Sequence, residues 1–282
     1  MPHPLPSART AAGAADRAGG TVAAPPAPRV RVEHEGPVAV VVLEDPARRN
    51  VLGAALREQL HETLGRLAED PGVRAVVLTG ADGCFSAGGD LAAMPPAAPA
   101  EGRARMERVG ALVRRLAALD LPVVAAVQGP AAGVAVGLVC CCDVVVAGAG
   151  ARFLLPFTRL GLVPDGGLLH LLARRVGPGR ARALLLGAEP VGAEAALAAG
   201  LADHVVADRD VRAEALARAQ ALAARAPLAV AAVKQGLRTA GGSLEDALAF
   251  EAGHQPGLFT TTDFLEGKQA FAERRAPAFS GR

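Results

Sequence analysis

Two segments of this chain gather small residues so that backbone N–H groups can come up to a ligand. The first is Phe85-Ser86-Ala87-Gly88-Gly89-Asp90-Leu91. The second runs from Ala126 through Gly129, Gly133, Val134 and Gly137 to Cys142-Asp143. Without bulky side chains the main chain itself can contact a bound group. Further along, Val163-Pro164-Asp165-Gly166-Gly167 sets a carboxylate in a Gly-rich turn, where it could take and return a proton. Each feature also has a structural reading. Gly129, Gly133 and Gly137 recur every four residues, which is the spacing of close helix packing. Pro-Asp-Gly-Gly reads as the N-cap of a helix starting at Gly166-Gly167. Asp143, at the end of the Gly-rich run, reads as structural.

The elements that must hold these residues follow from hydrophobic period. Val38 to Leu43, Val73 to Leu78, Pro122 to Val127 and Val144 to Ala147 are short runs dominated by Val, Leu and Ala and read as buried strands. Leu56, Leu60, Leu64 and Leu67 recur at helical spacing, a helix is expected from about Arg103 to Leu119, and the Gly/Ala run opens a buried helix. From Gly166 onward the chain reads as almost wholly helical. This predicts an α/β core of repeated β-β-α units, followed by a helical C-terminal portion.

Composition narrows the chemistry. The 282 residues suffice for one large domain, or a core domain with an appendage, and 51% are apolar. With no Tyr, tyrosine acid–base chemistry is excluded. With no Trp either, an aromatic platform for nucleic acid is not expected. A net charge of +2 calls for no polyanionic partner. Cys140, Cys141 and Cys142 are consecutive, so on a helix they diverge and cannot converge on one metal; with Cys84 they read as core residues of a cytoplasmic protein, and no metal site is expected. The most apolar stretch, Val134 to Ala147, is too short for a membrane span and is broken by Asp143. Residues 1–28, rich in Ala, Pro, Gly and Arg, lack the apolar centre of a secretory signal and are expected to be a disordered extension.

The same segments, in the same order, resemble the crotonase (enoyl-CoA hydratase/isomerase) superfamily. Arg48-Arg49-Asn50-Val51-Leu52 is similar to its Arg-x-Asn-Ala-Leu turn, and Phe85 to Leu91 to its Phe-Ser-Ala-Gly-x-Asp-Leu loop. Ala126 to Asp143 is similar to its Gly-rich segment, Leu160 to Gly167 to the stretch beside the acyl group, and Asp263 to Phe279 to its terminal helix. The resemblance implies the crotonase fold: an α/β core over residues 29–205 and a helical C-terminal trimerisation region over residues 206–282. It implies an acyl-CoA substrate, or an acyl group on a carrier protein, with no permanently bound cofactor, no nucleic acid and no membrane partner. It further implies a homotrimer or a dimer of trimers. The oxyanion hole would be the backbone N–H groups of Gly89 and Val134, where Val134 stands in place of the family's frequent glycine. Coenzyme A would meet Arg48, Leu52, Ala87, Asp90, Leu91 and Lys268, with Arg48 and Lys268 toward its phosphates and Asp90 bracing the loop.

Within that resemblance the reaction turns on two departures. Family hydratases carry glutamates at the positions of Gly137 and Phe157, and neither residue here can transfer a proton. The acid before the paired glycines resembles the base of the Δ3,Δ2-enoyl-CoA isomerases, and the Phe and Pro-Asp pattern resembles the ring-opening isomerase of phenylacetyl-CoA breakdown. Asp165 is therefore the expected catalytic base of an isomerase. A hydratase or other thioester-enolate enzyme, and a non-catalytic acyl-CoA-binding protein, are the alternatives.

Overall fold

In the computed structural model, which describes residues 27–94, 98–239 and 242–282, the chain builds a six-stranded sheet and a three-stranded one. The extension expected over residues 1–28 lies, but for its last two residues, outside the described residues. The main sheet opens with an antiparallel pair, β1 (Arg29–Glu35) and β2 (Val38–Glu44). Helix α1 (Ala54–Glu69) then crosses to β3 (Ala75–Gly80), and α2 (Pro99–Ala117) crosses to β4 (Val123–Val127). Strand β5 (Pro130–Ala132) leaves this sheet and feeds α3 (Val134–Cys141), which leads to β6 (Val144–Gly148) and β7 (Arg152–Leu154). After α4 (Leu168–Val176), α5 (Pro178–Gly187), β8 (Val191–Gly192) and α6 (Ala193–Ala199), the last strand is β9 (His204–Val206). Four helices complete the chain: α7 (Val211–Ala223), α8 (Pro227–Thr239), α9 (Leu244–Leu258) and α10 (Thr262–Glu273).

The main sheet has the order β1-β2-β3-β4-β6-β9 and is parallel from β2 onward. Its inner strands β2, β3, β4 and β6 are covered on both faces, which is why they are nearly continuous Val, Leu and Ala. On β2, Ala39, Val41 and Leu43 pack with Leu56, Leu60 and Leu64 of α1, with Leu112 and Leu116 of α2, and with α3. Val38, Val40 and Val42 point the other way, onto Val211, Ala215, Ala219 and Ala223 of α7. Those four positions are spaced by four, so one stripe of a helix covers the sheet, and the alanines let it approach closely.

Three features differ from the sequence reading. Strand β1 was not expected, because its alternation of Arg, Glu and His with Val belongs to an edge strand half in solvent. The nearly all-helical stretch after Gly166 contains β8 and β9, and these very short strands give little periodic signal. Helix α7, grouped by sequence with the C-terminal region starting at 206, is instead the second layer of the α/β core.

Candidate active site

The site begins with a turn that only two left-handed residues make possible. Arg49 and Asn50 both have φ of 55°, a conformation that Asn tolerates better than most residues. Asn50 is fully buried. Its Oδ1 accepts from Asp45 N (2.9 Å), and its Nδ2 donates to the carbonyls of Ala81 (2.9 Å) and Cys84 (2.6 Å). The turn is thereby knitted to the first Gly-rich loop. Ala87 N donates to Arg49 O (2.9 Å) and Leu52 N to Gly88 O (2.8 Å), while Ser86 Oγ donates to Asn50 O (2.7 Å) and accepts from Gly88 N (3.0 Å).

That loop is also fastened to the second. Ser86 N donates to Pro130 O and Ala132 N to Ser86 O, both at 3.0 Å, a parallel bridge that extends β5. Gly88, at φ +84°, passes so close that a β-carbon there would stand 2.3 Å from Ala132 O. Gly133, at φ +53°, then turns the chain into α3. The result is two backbone N–H groups, those of Gly89 and Val134, on the wall of one cavity of about 610 Å³. Among the described residues neither donates in a turn, loop or side-chain hydrogen bond. Val134 is the first residue of α3, so the positive end of the helix dipole also faces the cavity.

Asp165 lines the same cavity. Its Oδ1 is buried and has no hydrogen-bond partner. Burial pushes its carboxyl above the ordinary aspartate range, opposed by the positive charges of Arg105 and then Arg57. The capping alternative does not hold. Helix α4 starts at Leu168 with Gly167 as its capping residue and no side-chain cap, while Asp165 contributes only its carbonyl, to Leu168 N (3.2 Å). His170 is exposed on the first turn of α4. Asp143 is structural, accepting from Val123 N (2.7 Å) and pairing with Lys234.

The two positions that could have carried further acids are closed. A β-carbon on Gly137 would lie 2.4 Å from Gly166 O. Phe157 is buried, lines the cavity, and brings its ring within 3.7 Å of the place a β-carbon on Gly133 would take.

The expected coenzyme contacts fall into three groups. Arg48, half exposed, holds Asp45 (2.7 Å) and Asp90 (3.0 Å), and Asp90 accepts from Ala93 N (3.2 Å). The aspartate thus braces the loop, while Ala87 and Leu91 line the cavity beside it. Leu52 needs correction as a contact residue: its side chain is wholly buried in the core, and it serves the site through its N–H to Gly88 and its carbonyl, which accepts from Arg57 (2.6 Å). Lys268 does not line this cavity. It lies on α10 in a separate apolar groove with Phe264, Phe271 and Phe279, its Nζ 5.6 Å from the centre of the Phe264 ring. Sequence reasoning missed Arg105, which the structure puts on the cavity wall beside Met106. The signal was the helical face of Gly102, Arg105, Met106 and Val109.

Three of the four cysteines are buried and Cys141 is partly so; burial pushes the thiols of Cys140 and Cys141 up to about 12, as befits unreactive core residues.

Comparison with known proteins gives a consistent picture. A family profile described as enoyl-CoA hydratase/isomerase matches residues 33–282. A protein of Rhodobacter capsulatus described as a probable enoyl-CoA hydratase is 40% identical over 258 residues, covering 90% of this chain and 98% of that one. The 1,2-epoxyphenylacetyl-CoA isomerase of Escherichia coli is 35% identical over 250 residues, covering 87% and 95%. The crystal structure of an enoyl-CoA hydratase from Bacillus anthracis superposes with a TM-score of 0.86 at 30% identity, covering 90% of this chain and all of that one.

Proposed function

The chain belongs to the enoyl-CoA hydratase/isomerase family, and we propose that within it this enzyme moves the double bond of an unsaturated acyl-CoA from C3 to C2. The thioester carbonyl oxygen accepts the N–H groups of Gly89 and Val134. Asp165 removes a proton from C2, and the electron pair of that C–H bond enters the dienolate, whose charge rests on the held oxygen. The protonated Asp165 then returns its proton at C4, leaving the double bond between C2 and C3. An oxyanion donor of this kind lowers a barrier by roughly 2.7–4 kcal/mol, because it is oriented before charge develops. One carboxylate raised above its ordinary range suits a proton that must travel both ways.

The observation that carries this reading is the buried, unpartnered Oδ1 of Asp165 in the cavity of the two free N–H groups, with both further acid positions closed at Gly137 and Phe157. The relatives' names include both activities: the Rhodobacter protein is described as a hydratase, the Escherichia coli one as an isomerase. Hydration would require Asp165 alone to position water and supply the proton at the α-carbon. We also propose assembly as a homotrimer or a dimer of trimers. The exposed apolar residues of the C-terminal helices, among them Val233, Leu237, Leu265 and Phe271, support it.

The test follows absorbance of the conjugated 2-enoyl thioester, starting from a 3-enoyl-CoA and, separately, from a 2-enoyl-CoA, with Asp165→Asn in parallel. A rise from the 3-enoyl substrate that is lost in Asp165→Asn is expected. A fall from the 2-enoyl substrate without that rise assigns hydration instead. Tight acyl-CoA binding with no change in either assigns a binding protein.

A further inference from the structure

Helix α2 presents Gly102, Arg105, Met106 and Val109 to the cavity, so Arg105 and Asp165 are the two charged residues in a lining otherwise made of Leu91, Met94 and other uncharged groups. Arg105 Nη1 donates to Ala93 O (3.1 Å), but its Nε is buried without a partner. Among the described residues Arg105 is in no ion pair. Asp165, whose carboxyl feels the charge of Arg105, makes no ion pair with it, and Asp90 is committed to Arg48. The surroundings add charge of the same sign: burial, then Arg105 and Arg108, hold the Arg57 guanidinium below its ordinary range. Two guanidinium groups, those of Arg105 and Arg57, thus act on the one unpaired carboxylate, Asp165.

Arg105 is only partly buried in the empty protein, but an acyl chain that expels water from the cavity leaves its charge with neither water nor a counter-charge, which is unfavourable. An aliphatic acyl chain offers the Arg105 guanidinium no counter-charge. A carboxylate borne by that chain would pair with the outer, accessible edge of that guanidinium. Resting on the reading of this cavity as the acyl site, we infer that Arg105 receives a second carboxylate on the acyl group, so that the substrates are coenzyme A thioesters of dicarboxylic acids. Arg105 is then a specificity-determining residue, distinct in role from Asp165.

The test is equilibrium binding by calorimetry with saturated thioesters, which contain no double bond to move. Glutaryl-, adipyl- and suberyl-CoA are each compared with the neutral ester of the same chain length: pentanoyl-, hexanoyl- and octanoyl-CoA. At least one dicarboxylic ester is expected to bind the wild type about tenfold or more tightly than its neutral counterpart, as one charge-assisted contact provides. Arg105→Met should abolish that preference without weakening the neutral ester, and Arg105→Lys should retain part of it. Absence of the preference in the wild type overturns the inference. So does a preference that survives in Arg105→Met, or a loss that is equal for both esters. A preference that depends on Arg105, together with failure to isomerise 3-hexenedioyl-CoA, would refute the isomerase reading and leave this inference standing.

Discussion

The carbonyl oxygen of Gly166 stands 2.4 Å from the place where a side chain on Gly137 would begin. Helix α3 and the turn carrying Asp165 are therefore in backbone contact, and the position is filled by main chain. Gly137→Ala must push this turn outward, and overpacking of that kind costs about 1–3 kcal/mol. A melting temperature lower by several degrees is expected in calorimetry. Gly137→Glu should be less stable still and should gain no hydration of a 2-enoyl-CoA, since its carboxylate cannot enter beside Asp165. Unfolding of Gly137→Ala at the wild-type temperature would show that the turn yields freely.

A comparison of two glycines in the first loop separates backbone strain from loss of the oxyanion hole. Gly88 and Gly83 both have positive φ, +84° and +68°, but a β-carbon meets Ala132 O at 2.3 Å in the first and nothing within 4 Å in the second. Both alanine variants should lose stability through strain. Gly88→Ala alone should also displace the N–H of Gly89, lowering kcat by about 10²–10³-fold, as loss of one oxyanion donor does. Steady-state kinetics of the two variants, each measured below its own melting point, checks this. Equal kcat values would remove Gly89 from the oxyanion role.

Arg48 bridges Asp45 and Asp90, next to the loop residues Gly89 and Leu91 that line the cavity, with half its side chain in solvent. Exposed pairs contribute only about 0–1 kcal/mol to stability, so Arg48→Ala should fold almost as the wild type does. Its consequence should be a several-fold rise in KM for coenzyme A esters at unchanged kcat, shrinking as salt screens the phosphates. A fall in kcat with KM unchanged would assign Arg48 to loop geometry alone.

Much of this was legible in the sequence because it is local. The two Gly-rich loops, the buried helix α3 and the stripe Leu56, Leu60, Leu64 and Leu67 of α1 all follow from small residues and period. What depends on distant partners was not. Ala215, Ala219 and Ala223 form a stripe that any helix could have, and only the sheet they cover places α7 in the core. Asp165 was open to two readings, since period alone does not say whether a helix starts at Gly166 or Leu168. The left-handed turn at Gly166 and Gly167 delays the helix and frees the carboxylate. Arg105 looked like one more arginine in a charged helix, because its unpaired state exists only within the assembled cavity.

As the proposed base, Asp165 should tie activity and stability to pH in opposite directions. Burial raises its carboxyl above the ordinary value in the folded chain, while the unfolded chain titrates near ~3.9. Between these values the folded state holds a proton that the unfolded state has released. The contribution of Asp165 to stability is therefore fully present below the unfolded value and is lost as pH rises through the folded one. Asp165→Asn, neutral at every pH, should melt above the wild type at pH 7, and the gap should close toward pH 4. Catalysis needs the ionised base, so kcat/KM should rise with pH through an inflection above the ordinary aspartate range. Arg105 opposes the rise, so Arg105→Met should move that inflection upward. Melting curves and pH–rate profiles of the three proteins check both halves. An inflection near the ordinary value, or a variant no more stable than the wild type at pH 7, would mean that water reaches Asp165 freely and that the proton is held by another group.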